Sequence, residues 1–219
     1  SKVPCPVALV NSFCTFCFEG WERKPYREVP YRKLMENALL LKQTTGADSV
    51  ELTSFNFNTH SDIVALIVEL QRYFKQVDFM SQRADILAIM PTLAVFEAAA
   101  GKRVFTVGIE GISERMRAYY HKELSRDRIM GAIEALVQAK AKEIKLFFIL
   151  SGDEDASDGE EFNRLLLSID ALRSRHGSHT RIVCSFGLLV RMPFTPLRYE
   201  RLLLDKAQWE QSLQVVQQA

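Results

Sequence analysis

The sequence lacks the features that mark several classes of protein. No stretch approaches the roughly 20 consecutive apolar residues that a membrane-spanning helix needs, and no low-complexity tract or Pro/Ser-rich linker interrupts the chain. Its 28 Lys and Arg residues nearly balance 27 Asp and Glu residues, so no basic excess indicates nucleic acid or an anionic membrane surface as a partner. The first residues lack the charged-then-apolar pattern of a signal peptide. These absences predict a cytoplasmic protein.

Cysteine is also scarce, and its distribution is uneven. Three of the four cysteines, Cys5, Cys14 and Cys17, lie close together near the start, whereas Cys184 lies alone in an apolar run far downstream. In a reducing compartment, closely spaced cysteines are more often metal ligands or redox thiols than disulfides. Three thiolates without a local fourth indicate a metal site with one open position, of the kind that suits zinc, copper(I) or an iron–sulfur cluster.

The chain does contain a regular alternation of strand and helix patterns. Apolar residues at helical spacing, two sets of them preceded by the potential N-caps Ser61 and Ser125, separate short apolar strands. The predicted strands cover 49–53, 77–80, 104–109, 144–150 and 182–189. With a sixth strand leading into Cys5, this order predicts βαβ units and a parallel sheet. The predicted fold class is α/β, a partial (βα)6 TIM-like barrel with parallel strands.

The length of 219 residues fits one such domain, covering 1–219. A metal ligand needs a supporting element before it, and Cys5 is almost the first residue. We therefore expect the sequence to be a fragment of a longer protein.

Polar residues collect where the predicted strands end. Right-handed crossovers place the carboxyl ends of parallel strands on one rim, and chemistry in barrels of this kind occurs there. The sequence therefore predicts a site on the rim, built from the cysteine segment and from 54–58, 81–83, Glu110, 151–155 and Arg191.

From the residues alone, four interpretations of the cysteines remain open. A structural zinc site normally takes four protein ligands, so a distant Cys or His would have to complete this one. Cys14 and Cys17 could form a thioredoxin-like redox pair, but the residues after them do not look like the helix that such a pair precedes. The cysteines could also have no ligand role. An iron–sulfur cluster fits best, since thiolates are its usual ligands and three of them leave one iron free.

Four motifs, in order along the chain, resemble the core domain of the radical S-adenosylmethionine (SAM) superfamily. They are Cys14-Thr15-Phe16-Cys17, the segment GIEGISER at 108–115, the apolar strand from Lys145 to Gly152, and the segment RMPFTPL at 191–197. Two departures accompany them. Eight residues separate Cys5 from Cys14 where the family commonly has three, and Thr53-Ser54-Phe55-Asn56 replaces the usual Gly-Gly-Glu.

The resemblance implies that Cys5, Cys14 and Cys17 hold three irons of a [4Fe-4S] cluster and that the fourth iron binds SAM. One-electron reduction would cleave SAM to methionine and a 5'-deoxyadenosyl radical, which acts on an unidentified substrate or supports methyl transfer. An electron donor is the implied partner. Segments 54–60 and 81–83 look most like members that also carry a cobalamin-binding domain, so cobalamin, held by a domain outside this sequence, is a further implied cofactor.

The resemblance also implies contacts with SAM. Glu110 is expected at the ribose hydroxyls, because a carboxylate can accept two hydroxyl hydrogens. Thr53 and Ser54 are expected at the amino group, and Arg83 at the carboxylate, which guanidinium binds bidentately.

Phe16 and Lys145 complete the expected cofactor contacts, and Asn56, Asn58 and Arg191 are the expected substrate contacts. Turn capping, core packing and surface ion pairs are the structural alternatives for these residues. The rival function is a non-enzymatic, zinc-binding structural or interaction module on a barrel scaffold.

Overall fold

Strands and helices alternate along the chain in this computed structural model, which describes residues 14–22, 27–54, 57–80, 82–200 and 205–218. The helices are α1 (Phe18–Glu22), α2 (Tyr31–Thr45), α3 (Ile63–Leu70), α4 (Ala84–Ile89), α5 (Thr92–Ala99), α6 (Glu114–Tyr119), α7 (Arg126–Gln138), α8 (Ala156–Arg175) and α9 (Lys206–Gln218). The strands are β1 (Ser49–Leu52), β2 (Gln76–Phe79), β3 (Val104–Glu110), β4 (Glu143–Leu150) and β5 (Arg181–Leu188). Two 3-10 turns, Phe57–Thr59 and Pro196–Tyr199, follow β1 and β5.

All strand pairs in the described ranges are parallel. β1 pairs with β2, and β3, β4 and β5 form a second sheet in that order. A parallel bridge between Gln82 and Val107 joins the two sheets, and the Gln82 N–H donates to the carbonyl of Thr106 at 2.7 Å. The carboxyl ends of the strands therefore lie on one side. This topology confirms the predicted α/β fold with parallel strands; no closed barrel forms among the described strands, and the predicted strand before Cys5 lies outside them.

The two faces of β4 differ in how deeply they are buried. Ile144, Leu146, Phe148 and Leu150 are buried, as expected where a sheet packs against helices. The alternate residues Lys145 and Phe147 lie on the opposite face and are partly exposed. Helices therefore cover one face of β4, while the other remains open along part of its length.

Side-chain caps fix several helix starts at the rim. Ser113 accepts a hydrogen bond from the Met116 N–H at the start of α6, and Asp155 caps α8 in a capping box with Asp158. Ser125 caps α7 as predicted. The N-cap prediction for Ser61 is wrong because α3 begins at Ile63; the Ser61 hydroxyl instead donates to Glu28 at 2.6 Å.

None of the helices in the described parts of the chain is both long enough and apolar enough to cross a membrane.

Candidate functional site

Cys14 and Cys17 lie on one tight turn immediately before α1. The expectation that no helix follows the cysteine pair is wrong, because α1 begins at Phe18; its five residues are too few to show a helical period. The Cys17 N–H donates to the carbonyl of Cys14 at 3.1 Å, and both thiols are free and partly buried. Cys5 lies outside the described residues, and within those residues no group of three or more Cys, His, Asp or Glu could hold a metal ion. The structure therefore brings two of the three predicted ligands together, and the third stays a prediction.

Hydrogen bonds fix this cysteine turn to two neighbouring segments through Thr15. The Thr15 N–H and hydroxyl donate to the carbonyls of Tyr120 and Tyr119, each at 3.0 Å, and the Thr15 carbonyl accepts from the Leu197 N–H at 3.3 Å. Phe16 packs edge-to-face on Tyr120, with the ring centroids 5.6 Å apart. This packing accounts for the Phe16 ring in the structure, and its predicted cofactor contact stays a prediction.

Three charged side chains act on Cys14 from the ends of neighbouring elements. Burial raises the pKa of the Cys14 thiol, and the negative charge of Glu110 acts in the same direction, whereas Lys122 and Arg83 act to lower that pKa. The Lys122 ammonium lies 3.4 Å from a carboxylate oxygen of Glu110, and both side chains are mostly buried. The carboxyl end of the sheet therefore combines thiols, a carboxylate and two cations.

A bulge at the end of β3 sets the position of Glu110. The β3–β4 register shifts between Gly108 and Glu110, and Glu110 has a φ of +69°. A Cβ at Gly108 would lie only 2.3 Å from a carboxylate oxygen of Glu110. The Glu110 side chain thus folds back over Gly108, where only glycine leaves room for it, and a left-handed backbone at a glutamate is the kind of strain found at functional sites.

Arg83 is held by its side chain and by its backbone. Its guanidinium binds Asp85 bidentately at 3.0 and 2.7 Å, while the buried Asn58 amide both donates to the Arg83 carbonyl and accepts from its N–H, at 3.1 Å each. Burial acts to lower the pKa of Arg83, but the hydrogen bonds and charge of Asp85 outweigh it and raise that pKa overall. The SAM role of Arg83 and the substrate role of Asn58 stay predictions; in the structure both groups are engaged within the protein.

The remaining predicted residues are dispersed. Thr53 and Ser54 are exposed at the end of β1, and Asn56 lies outside the described residues. Arg191 is exposed and donates to the carbonyl of Glu200 at 3.1 Å. Their predicted contacts stay predictions.

Lys145 lies near the amino end of β4, away from the rim. Its ammonium is 3.6 Å from a carboxylate oxygen of Glu143. The structure does not place it with the cysteine turn, so its cofactor role stays a prediction.

Sequence reasoning missed Lys122 and Asp85. Lys122 lies in the charged segment between α6 and α7, which reads as an ordinary solvated loop. One feature of the sequence could have identified Lys122. It follows closely after the short helix α6, which itself begins soon after the strand-end residue Glu110. Asp85 could have been found from its spacing with Arg83, because the side chains of residues i and i+2 can meet where a strand end turns into a helix.

Comparison with known proteins supports the same fold and indicates a family. The model of the radical SAM superfamily matches residues 11–166, which is more than half of the chain. The structure resembles methylornithine synthase (PylB), with a TM-score of 0.57 and 12% identity over 94% of this chain and 58% of that one. It also resembles OxsB, a cobalamin-dependent SAM radical enzyme solved with aqua-cobalamin and SAM bound, with a TM-score of 0.62 and 14% identity over 94% of this chain and 34% of that one.

At these identities the structural likeness shows the fold alone, and the chain spans little more than half of PylB and about a third of OxsB. No curated protein has a matching sequence. The family match, however, covers the cysteine turn, Glu110 and Lys122 together. This chain belongs to the radical SAM superfamily.

Proposed function

We propose that this chain is the core domain of a radical SAM enzyme, in which Cys5, Cys14 and Cys17 hold a [4Fe-4S] cluster whose remaining iron binds SAM. One observation carries the proposal. The Cys14–Cys17 turn lies with Glu110, Lys122 and Arg83 at the carboxyl end of a parallel sheet, in a chain that belongs to this superfamily. Membership supports an enzyme rather than a zinc-bound scaffold.

The described residues fit the chemistry of such a cluster. Thiolates are its usual ligands, and both described thiols of the turn are free and partly buried. Burial raises the pKa of Cys14, so ligation there would release a proton, and the two nearby cations favour the thiolate. Lys122 and Arg83 also supply positive charge opposite an anionic cluster and the carboxylate of SAM.

When bound, the cluster and SAM would supply the radical chemistry, namely reductive cleavage of SAM and abstraction of hydrogen from the substrate, with the electron coming from an external donor. The protein's own residues bind and orient. Glu110 would accept hydrogen bonds from the ribose hydroxyls, and Lys122 would neutralise the SAM carboxylate. A low-potential electron donor is the required partner, and methyl transfer is the proposed outcome if a cobalamin-binding domain accompanies this one.

Anaerobic reconstitution with iron and sulfide tests the proposal. We expect a brown protein with about four irons per chain, bleached by dithionite, that converts SAM to 5'-deoxyadenosine and methionine under reducing conditions. Cys17→Ala should abolish product formation. Cys184→Ala is the matched control, because Cys184 lies on β5 away from the turn, and it should retain the activity. A colourless protein that binds one tight zinc would contradict the proposal and support the rival scaffold function.

A further inference from the structure

The carboxyl end of α6 has two carbonyls that the cysteine turn caps. The last carbonyls of a helix have no partner within the helix. Three of them are capped by the chain that follows: Met116 O accepts from Tyr120 N, Arg117 O from Lys122 N, and Ala118 O from His121 N. The next two, Tyr119 O and Tyr120 O, accept from the hydroxyl and N–H of Thr15. The cysteine turn is therefore the C-terminal cap of α6.

Thr15 connects this cap to a second segment. Its carbonyl accepts from the N–H of Leu197, in the 3-10 turn Pro196–Tyr199, so the N–H, hydroxyl and carbonyl of Thr15 are all bonded. Thr15 lies between Cys14 and Cys17. The turn that carries both thiols is thus held between α6 and the segment after β5.

Both supports of the turn are themselves well packed. The Tyr120 side chain is fully buried, its ring packs on Phe16, and its hydroxyl donates to the carbonyl of Ile149 at 3.2 Å. On the other side, Leu197 is 6% exposed, and the Thr195 hydroxyl donates to the carbonyl of Met192 at 2.8 Å. The hydrogen bonds of Thr15 therefore attach the turn to rigid neighbours.

We infer that the Thr15 hydroxyl is a positioning group that fixes the Cys14–Cys17 turn before any metal binds. Ordering two ligand side chains costs conformational entropy, and a turn held in place in advance reduces that cost on ligation. The same cap fixes the end of α6, from which Lys122 extends toward Cys14 and Glu110. Only the measurements made on the bound cluster depend on the proposed function. The role of Thr15 in the metal-free protein does not.

A matched pair of variants tests the inference in the metal-free protein. Thr15→Val keeps the shape and removes the donor, whereas Thr15→Ser keeps the donor. Loss of one partly buried hydrogen bond should raise the alkylation rates of Cys14 and Cys17 about two- to tenfold in Thr15→Val, resolved by peptide mass spectrometry. Thr15→Ser should stay close to the wild type. The rate at Cys184 is the internal control and should not change.

Equal rates in wild type and Thr15→Val, or equal rates in the two variants, would overturn the inference. An equal rise at Cys184 would also overturn it, because that would mean general loosening. If Thr15→Val does not fold, amide exchange in the wild type decides: the Cys17 N–H must be protected, and Thr15→Ser must retain that protection.

A cluster readout separates this inference from the proposed function. After reconstitution, Thr15→Val should shift the electron paramagnetic resonance signal of the reduced cluster, and Thr15→Ser should restore it. An unshifted signal in Thr15→Val counts against the positioning role. If the wild type binds no cluster, the proposed function fails, while the alkylation result still decides the role of Thr15.

Discussion

Lys122 and Arg83 place two positive charges beside Cys14, and they differ in how firmly the protein holds them. Arg83 is bound through its guanidinium by Asp85 and through its backbone by Asn58. Lys122 contacts a single oxygen of Glu110 at 3.4 Å, a long ion pair. Because Lys122 has fewer and longer contacts than Arg83, its ammonium is the better placed of the two to bind an incoming anionic group.

This difference predicts a loss of SAM affinity when Lys122 is neutralised. A charge-assisted hydrogen bond contributes about 1.5–3 kcal/mol, so Lys122→Gln should weaken SAM binding to the reconstituted protein by about 10- to 100-fold, measured by equilibrium dialysis. Cluster content should not change. Lys75→Gln, which removes a lysine paired with Asp48 on the surface, is the control and should bind SAM normally. Unchanged affinity in Lys122→Gln would exclude the proposed carboxylate contact.

At the scale of elements, the bulge at the end of β3 and the start of α6 form one unit. Gly108 lets the Glu110 carboxylate fold back, whereas Gly111 lets α6 approach. A Cβ at Gly111 would lie 2.3 Å from the backbone nitrogen of Arg117. The two glycines therefore leave room for different neighbours, one a flexible side-chain end and the other helix backbone.

Alanine at these two positions should have contrasting effects. Gly108→Ala should fold with near-normal stability, because the end of the Glu110 side chain can move away, but it should weaken SAM binding. Gly111→Ala should lower the free energy of unfolding by about 2–3 kcal/mol or more, since helix backbone cannot shift cheaply. Denaturant unfolding and SAM binding, measured on both variants, give the comparison. A stable Gly111→Ala would show that α6 adjusts more readily than its packing indicates.

The sequence predicted the strands and helices better than it predicted individual side-chain contacts. Strand-like apolar runs and helical spacing identified β1 to β5 and their parallel order, because those patterns follow from burial on each element. α1 and α4 were missed because their five and six residues are too few to show a clear helical period. Element order also placed Glu110 and the cysteine turn on one rim.

The finer parts of the site depend on contacts that spacing does not encode. Lys122 reaches Glu110 only because α6 is short and the chain turns back at His121, which has a left-handed φ of +51°. The Asn58 amide meets Arg83 across 25 residues of sequence. The nearly continuous apolar run of β4 did not show that Lys145 would pair with Glu143 near the amino end of the strand. These features required the three-dimensional arrangement.

At the scale of the whole molecule, one buried carboxyl group affects stability without contacting the site. Glu97 on α5 is fully buried, and neither of its carboxylate oxygens has a hydrogen-bond partner among the described residues. Burial raises its pKa to about 8, although the charge of Lys102 acts to lower it. Lys102 is also buried, and burial lowers its pKa, although the negative charges of Asp78 and Glu51 act to raise it.

The sign of the resulting pH dependence follows from the raised pKa of Glu97. Between the ordinary carboxyl pKa of about 4.5 and the folded value of about 8, the folded chain keeps a proton that the unfolded chain has released. The stabilising contribution of protonated Glu97 is therefore complete below about pH 4.5 and is lost as the pH rises through about 8. The lowered pKa of Lys102 makes the free energy of unfolding rise with pH, but only between that lowered pKa and the ordinary lysine pKa of 10.5.

Glu97→Gln should remove this dependence, because glutamine keeps the shape and stays neutral. As the pH rises from 5 to 8, the wild type should lose stability that the variant keeps. The variant should therefore gain about 3 kcal/mol of unfolding free energy relative to the wild type over this range. Urea unfolding at several pH values measures it. Glu69→Gln, at a partly exposed residue of α3 paired with Arg72, is the control and should show the wild-type slope. If wild type and Glu97→Gln have parallel pH profiles, Glu97 is ionised in the folded protein, and the charge of Lys102 must then balance it.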